Sequence, residues 1–136
     1  MAELTVSIVT PERSVTTTAA EQLTAPSVLG EVGILPNHKP LLATMDEGVV
    51  GVHGAEGVEY FAVSGGFLEV SNNRITVLAE AAESAAEIDI ERADAAVKDA
   101  SGQLKVLAFG SEEHTEQSSR LRRANNRLAA AKLAAH

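Results

Sequence analysis

The chain has 136 residues; it is 45% hydrophobic but only 3% aromatic, so any core must be built from Val, Leu, Ile and Ala. That length fits one typical domain or two small ones. The absence of cysteine excludes a disulfide framework and a thiolate metal site. No apolar run approaches the roughly 20 residues that cross a bilayer as a helix. The net charge of −8 is unevenly spread: residues 1–86 carry three basic side chains against eleven acidic ones, and residues 87–136 carry eight of each. Nucleic acid is therefore excluded as a partner of the first part, because phosphates need a basic surface. The start, MAELTVSIV, has no basic region ahead of its apolar residues, so a soluble chain that stays in the cytoplasm is expected.

Glu3 to Val9 alternates, with Leu4, Val6 and Ile8 on one face, and predicts a half-buried strand that Pro11 ends. Arg13 to Thr18 is rich in β-branched residues and predicts a second strand; Gln22 to Ala25 predicts a short third. GEVGILPNHKPLL, residues 30–42, is the least ordinary run. Its glycines and prolines predict an exposed loop carrying apolar side chains, because proline removes a ladder donor and fixes φ. Two readings stand side by side: a contact surface held by a rigid scaffold, or a plain crossing whose apolar residues tuck into the core. Leu41 to Met45 follows as a strand. Hairpin signals then come densely: Val49–His53 and Val58–Val63 around Gly54–Gly57, and Phe67–Val70 and Arg74–Leu78 around Ser71-Asn72-Asn73. The spacing predicts an antiparallel sandwich or barrel with one wet face per strand.

The pattern changes near Ala79. AEAAESAAE is alanine-rich and acidic, and nothing beyond it has strand character. Asp89 is an N-cap candidate with Glu91 in the first turn, and Ala93, Ala96/Val97, Ala100 and Leu104 recur at helical spacing. Gly102 is a candidate stop, and Gly110-Ser111 is the clearer break. A second helix from Ser111 carries Leu121, Ala124, Leu128 and Ala131 on one stripe, with acidic residues first and arginines toward its end, as the helix dipole favours. The predicted fold class is α+β: an N-terminal antiparallel β-sandwich over residues 1–86, then a C-terminal helical hairpin over 87–136. The hairpin's facing stripe is mostly alanine, so its interface is weak at about 25 cal/mol per Å². A tail that leaves the sandwich and one that stays docked are equally open.

No catalytic constellation emerges. His38, His53, His114 and His136 lack ligand spacing, and neither a phosphate-loop nor a nucleophile-elbow motif is present. Arg123 and Arg127 are one helical turn apart and share a face. A closed hairpin would bring them toward Arg92 and the first helix's N-terminus, which suits a phosphate chain. The plainer reading pairs these arginines with Glu87, Glu91 and Asp94 in solvent.

Together, GEVGILPNHKPLL (30–42), FAVSGGFLEVSNNRITVLAEAAE (61–83), IDIERA (88–93) and RRANNRL (122–128) resemble the epsilon subunit of the bacterial F-type ATP synthase, from end to end of the chain. The resemblance implies a non-catalytic subunit of the central stalk, coupling proton flow to ATP synthesis. It implies contacts with the gamma subunit, with the ring of c subunits, and with the catalytic alpha/beta head through the helices. It places the chain on the cytoplasmic face of the inner membrane as a peripheral part of the complex, without inserting. Glu31, Val32 and His38 become the candidate ring contacts. No cofactor is required, but in some members ATP bound to the folded hairpin holds the tail down. The motif for that, I/L-D-x-x-R-A, is met by Ile88, Asp89, Arg92 and Ala93; Arg123 and Arg127 match the second-helix arginines and Glu83 the acidic residue before the hinge. The apolar linker (Leu104, Val106, Leu107, Phe109) departs from the family. The alternative reading is a free-standing acidic β-sandwich binding module with a helical oligomerisation tail.

Overall fold

A computed structural model describes residues 3–135; His136, one of the histidines weighed above, lies outside them. The strands are β1 (Leu4–Val9), β2 (Ser14–Ala20), β3 (Gln22–Ser27), β4 (Gly30–Ile34), β5 (Leu41–Met45), β6 (Gly48–Gly54), β7 (Gly57–Val63), β8 (Gly66–Ser71), β9 (Arg74–Ala79) and β10 (Ala82–Ser84). A single 3₁₀ turn, Ala85–Glu87, leads to α1 (Ile90–Val106) and α2 (Glu112–Ala134).

The strands hydrogen-bond in the order β10-β7-β6-β3-β5-β8-β9-β1-β2, with β4 paired to β3 alone. β3 meets β5 only at Ser27 and Met45, and this narrow hand-off lets one sheet fold over into two layers. The Ser27 hydroxyl makes the corner by donating to the Gly30 carbonyl at 2.6 Å and accepting from the Leu29 amide at 3.2 Å. The pairings are antiparallel except β1 with β9, which is parallel where the layers close on each other. Between the layers lie Leu4, Val6, Ile8, Leu23, Ile34, Val50, Phe61, Leu68, Val70, Ile75 and Val77, all buried, as the period-two pattern requires. The β8–β9 turn places Asn72 and Asn73 at φ 51° and 62°, the left-handed pair that a two-residue hairpin demands. Gly66 has φ 121°, and a Cβ there would collide with the Leu78 carbonyl, so this crossing admits glycine only.

Three expectations are corrected. Residues 30–34 form a strand, because β3 offers them a ladder from Leu23↔Ile34 to Ser27↔Gly30; only Leu35 to Pro40 remains loop. Strand pairing continues past Ala79, near which the pattern was expected to change: Ala82–Ser84 pairs antiparallel with Val63, Ala62 and Phe61 of β7. Gly102 does not end α1, which runs on to Val106 and stops just before Leu107, its C-cap. The exposed Gly102 side of α1 lets the helix carry a glycine at a cost of about 1 kcal/mol.

Candidate functional site

The hairpin folds back onto the sandwich. Asp89 caps α1 by accepting from the Arg92 amide at 3.1 Å, and Ser111 caps α2 by accepting from the His114 amide at 3.1 Å. Gly110, at φ 85°, makes the reversal between the helices. Alanines at Ala93 and Ala100 of α1, and at Ala124, Ala130 and Ala131 of α2, are the buried positions of the pair. A second small core gathers Ala93, Ala130 and Ala131 with Ala62 of β7, Ala85 and Ile88. Val49, Tyr60 and Leu128 border it. Side chains this small let α2 approach the sheet closely but supply little apolar area.

Polar contacts complete the seam. Arg127 donates from Nε to Glu83 Oε1 at 2.8 Å and from a terminal nitrogen to Oε2 at 3.1 Å, a two-pronged pair across 44 residues of sequence. β10 fixes the Glu83 backbone beside β7, and the second turn from the end of α2 brings Arg127 to it. The hydrogen bond to Glu83 pushes the Arg127 guanidinium above the usual arginine range, against an opposing effect of burial and with help from the charges of Glu83 and Asp89. A raised pKa on a cationic group means that its contribution is fully present below the unfolded value and lost only as pH passes the folded one. Arg127 therefore keeps its charge throughout the range in which proteins stay folded. Asn126, one residue earlier, donates its amide to the Gly48 carbonyl at 2.8 Å and the Val63 carbonyl at 3.3 Å. Arg120 and Asp99 pair across the hairpin, and Arg122 lies 4.0 Å from Glu47.

Beside this seam opens a cleft of about 300 Å³. Ala62, Val63, Ala81 and Ala82 form its apolar wall; Arg13, Glu47, Glu83, Arg123, Asn126 and Arg127 supply its polar groups. Glu83, Arg123 and Arg127 thus meet at one place. Arg92 does not join them: its side chain is exposed and makes no ion pair among the described residues. The pairing of the arginines with Glu87, Glu91 and Asp94 does not form either; Asp94 pairs with Lys98 at 3.1 Å. Ile88 and Ala93 are buried in the seam. Asn126 lies within RRANNRL but was given no role there, and Arg13 lies in none of the motifs above; the three-dimensional arrangement singles both out.

At the other candidate surface, Glu31 is exposed on β4, Val32 packs partly against the main core, and His38 is half-buried with its Nδ1 2.7 Å from the Lys39 carbonyl. Asn37, at φ 67°, receives the Asn73 side chain: its amide donates to Asn73 Oδ1 at 2.6 Å, which ties this loop to the β8–β9 turn. Leu29 at the β3–β4 turn is 97% exposed and Leu42 71%. On the outer face of β5, β8 and β9, Phe67 stands opposite Leu78, both about half exposed.

The sequence profile of the family described as "ATP synthase, Delta/Epsilon chain, beta-sandwich domain" matches residues 3–85. Similarity to curated proteins extends through the helices. The ATP synthase epsilon chain of Anaeromyxobacter dehalogenans is 41% identical over 128 residues, covering 94% of this chain and 97% of that one. The ATP synthase epsilon chain of Synechococcus elongatus is 42% identical over 129 residues, covering 94% of each. The fold matches a chain in the cryo-EM structure of the Euglena gracilis mitochondrial ATP synthase OSCP/F1/c-ring with a TM-score of 0.81 at 18% identity, over 100% of this chain and 83% of that one. A chain of the Tetrahymena thermophila mitochondrial ATP synthase central stalk and c-ring gives 0.61 at 13% identity, over 94% of this chain and 96% of that one. With a matching sandwich profile and relatives that span both the sandwich and the helical hairpin, the chain belongs to the ATP synthase epsilon chain family.

Proposed function

We propose that this chain works as the non-catalytic central-stalk subunit of a proton-translocating ATP synthase, with its helical hairpin as the regulatory part. The similarity to named epsilon chains over both the sandwich and the hairpin supports the subunit role. The observation that carries the regulatory reading is the seam. Its apolar part is alanine, and its polar part is a small set of contacts centred on Asn126 and Arg127. An interface of that kind suits an element with two positions that partners bias.

In this reading the sandwich binds gamma and the c-subunit ring, and the hairpin reaches the catalytic alpha/beta head when released. Glu31, Val32 and His38 belong to the ring-facing side; Glu31 and the exposed Leu29 are the accessible groups there, and Val32 acts through its place in β4. The half-exposed Phe67–Leu78 pair and Leu42 favour a further protein contact on the outer face. ATP acts as the regulatory ligand, with Glu83, Ile88, Asp89, Arg92, Ala93, Arg123 and Arg127 around it. Ile88 and Ala93 take part by packing, since both are buried. The complex sits on the cytoplasmic face of the membrane; no helix of the described residues is long and apolar enough to cross one.

Truncation after Glu87 tests both halves of the proposal. The shortened chain should co-purify from membranes with the other synthase subunits and should raise ATP hydrolysis by the assembled enzyme. Loss of assembly would make the tail a structural part of the stalk, and unchanged hydrolysis would end its regulatory assignment.

A further inference from the structure

Arg13 stands in the turn between β1 and β2, far in sequence from every residue assigned above. Its backbone is pinned: the Thr10 amide donates to the Arg13 carbonyl at 2.9 Å, and the Arg13 amide donates to the Thr10 hydroxyl at 3.3 Å. Pro11 fixes the turn between them. The side chain is exposed, lines the cleft beside α2, and has no ion-pair partner among the described residues. It is one of only three basic residues in a sandwich with eleven acidic ones.

The charges of the cleft sort simply. Arg127 is neutralised by Glu83, and the Asn126 amide is committed to two backbone carbonyls. Glu47 faces Arg122. Two guanidinium groups are left: Arg13 from the sandwich and Arg123 from the tail, both without a carboxylate at contact distance. Unpaired arginines lining one cleft, one from the sandwich and one from the tail, offer guanidinium forks to an anion with several oxygens. The volume of about 300 Å³ accepts a group of diphosphate size.

We infer that Arg13 and Arg123 form a polyphosphate subsite that bridges the sandwich and the tail, so that an anion bound there clamps α2 to the β1–β2 turn. This deepens the nucleotide reading above and rests on it only for the identity of the physiological anion. Arg92 is outside the cleft, so the subsite is separable from the helix-start motif.

Pyrophosphate is the probe, titrated into the full chain while backbone amide shifts are followed at Glu12–Ser14 and Arg122–Arg127. Saturable shifts should appear at both segments, and exchange of the α2 amides should slow. Arg13→Ala should weaken binding about tenfold, the effect of one charge-assisted contact, and Arg13→Lys should restore part of it. Arg92→Ala should leave pyrophosphate binding unchanged. Because the Arg13 side chain is exposed and without a protein partner, Arg13→Ala should melt like the parent. No saturable shift, or equal affinity in parent and Arg13→Ala, would overturn the subsite. ATP titrated in parallel separates the two ideas. ATP that binds through Arg92 and ignores Arg13→Ala keeps the nucleotide reading and rejects this subsite. Pyrophosphate that binds through Arg13 while ATP does not keeps the subsite and rejects ATP as its occupant.

Discussion

Ile34 and Leu35 are neighbours with opposite fates. Ile34 is fully buried between the sheets, and Leu35 is 58% exposed one residue later. Ile34 is the last residue of β4 and lies on its core face, whereas Leu35 lies beyond the strand in the loop. Ile34→Ala should cost about 2–5 kcal/mol by emptying a packed site, whereas Leu35→Ala should stay within about 0.5 kcal/mol. Urea unfolding of the two variants measures the contrast, and equal losses would place the end of β4 elsewhere. This stretch also shows what a local pattern conceals. Two glycines and a nearby proline read as loop, although Leu23 to Ser27, just across the Val28-Leu29 turn, supplies their hydrogen bonds. By contrast, Leu4, Val6 and Ile8 were legible as core because their own spacing carries the message. Asp89 was legible as a cap for the same local reason.

At the scale of elements, α2 is a helix with its recognition face written in alanine. Ala130 is fully buried against the sandwich side, and Asn126 lies one turn before it. Ala130→Leu should overpack the seam by about 1–3 kcal/mol. Asn126→Ala should leave two sheet carbonyls without their donor at a cost of about 1 kcal/mol. Both should speed hydrogen exchange in α2 and leave that of β1, β8 and β9 unchanged. Uniform loss of protection across the chain would mean that tail and sandwich unfold as one unit. The helices themselves were readable from capping residues and spacing. The contacts between α2 and β6, β7 and β10 were not, because they join positions 44 to 78 residues apart. Only the family resemblance drew Glu83 toward Arg127; Asn126 lay unassigned within RRANNRL, and no sequence signal marks Arg13. The Ala82–Ser84 strand was hidden for a related reason: its composition favours helix, and pairing with β7 overrides it.

For the molecule as a whole, charge is divided between its parts. The eight excess negative charges all lie in residues 1–86, while the hairpin region balances its own. Long-range attraction should therefore draw the sandwich, rather than the tail, toward a basic partner. Association of the chain with the rest of the rotor should slow several-fold between low salt and about 0.5 M salt, and the truncated chain should show the same salt slope. A slope that disappears on truncation would assign the steering to the hairpin. The alanine seam has one further consequence, in the solution behaviour of the opened form. Departure of α2 would uncover methyl groups of Ala62 and Ala85 and a few larger neighbours, where most helix-on-sheet interfaces would bare a broad oily face. A tail set free in this way would have little reason to clump with its neighbours, so a chain that works by opening and shutting would not be lost to precipitation as it did so.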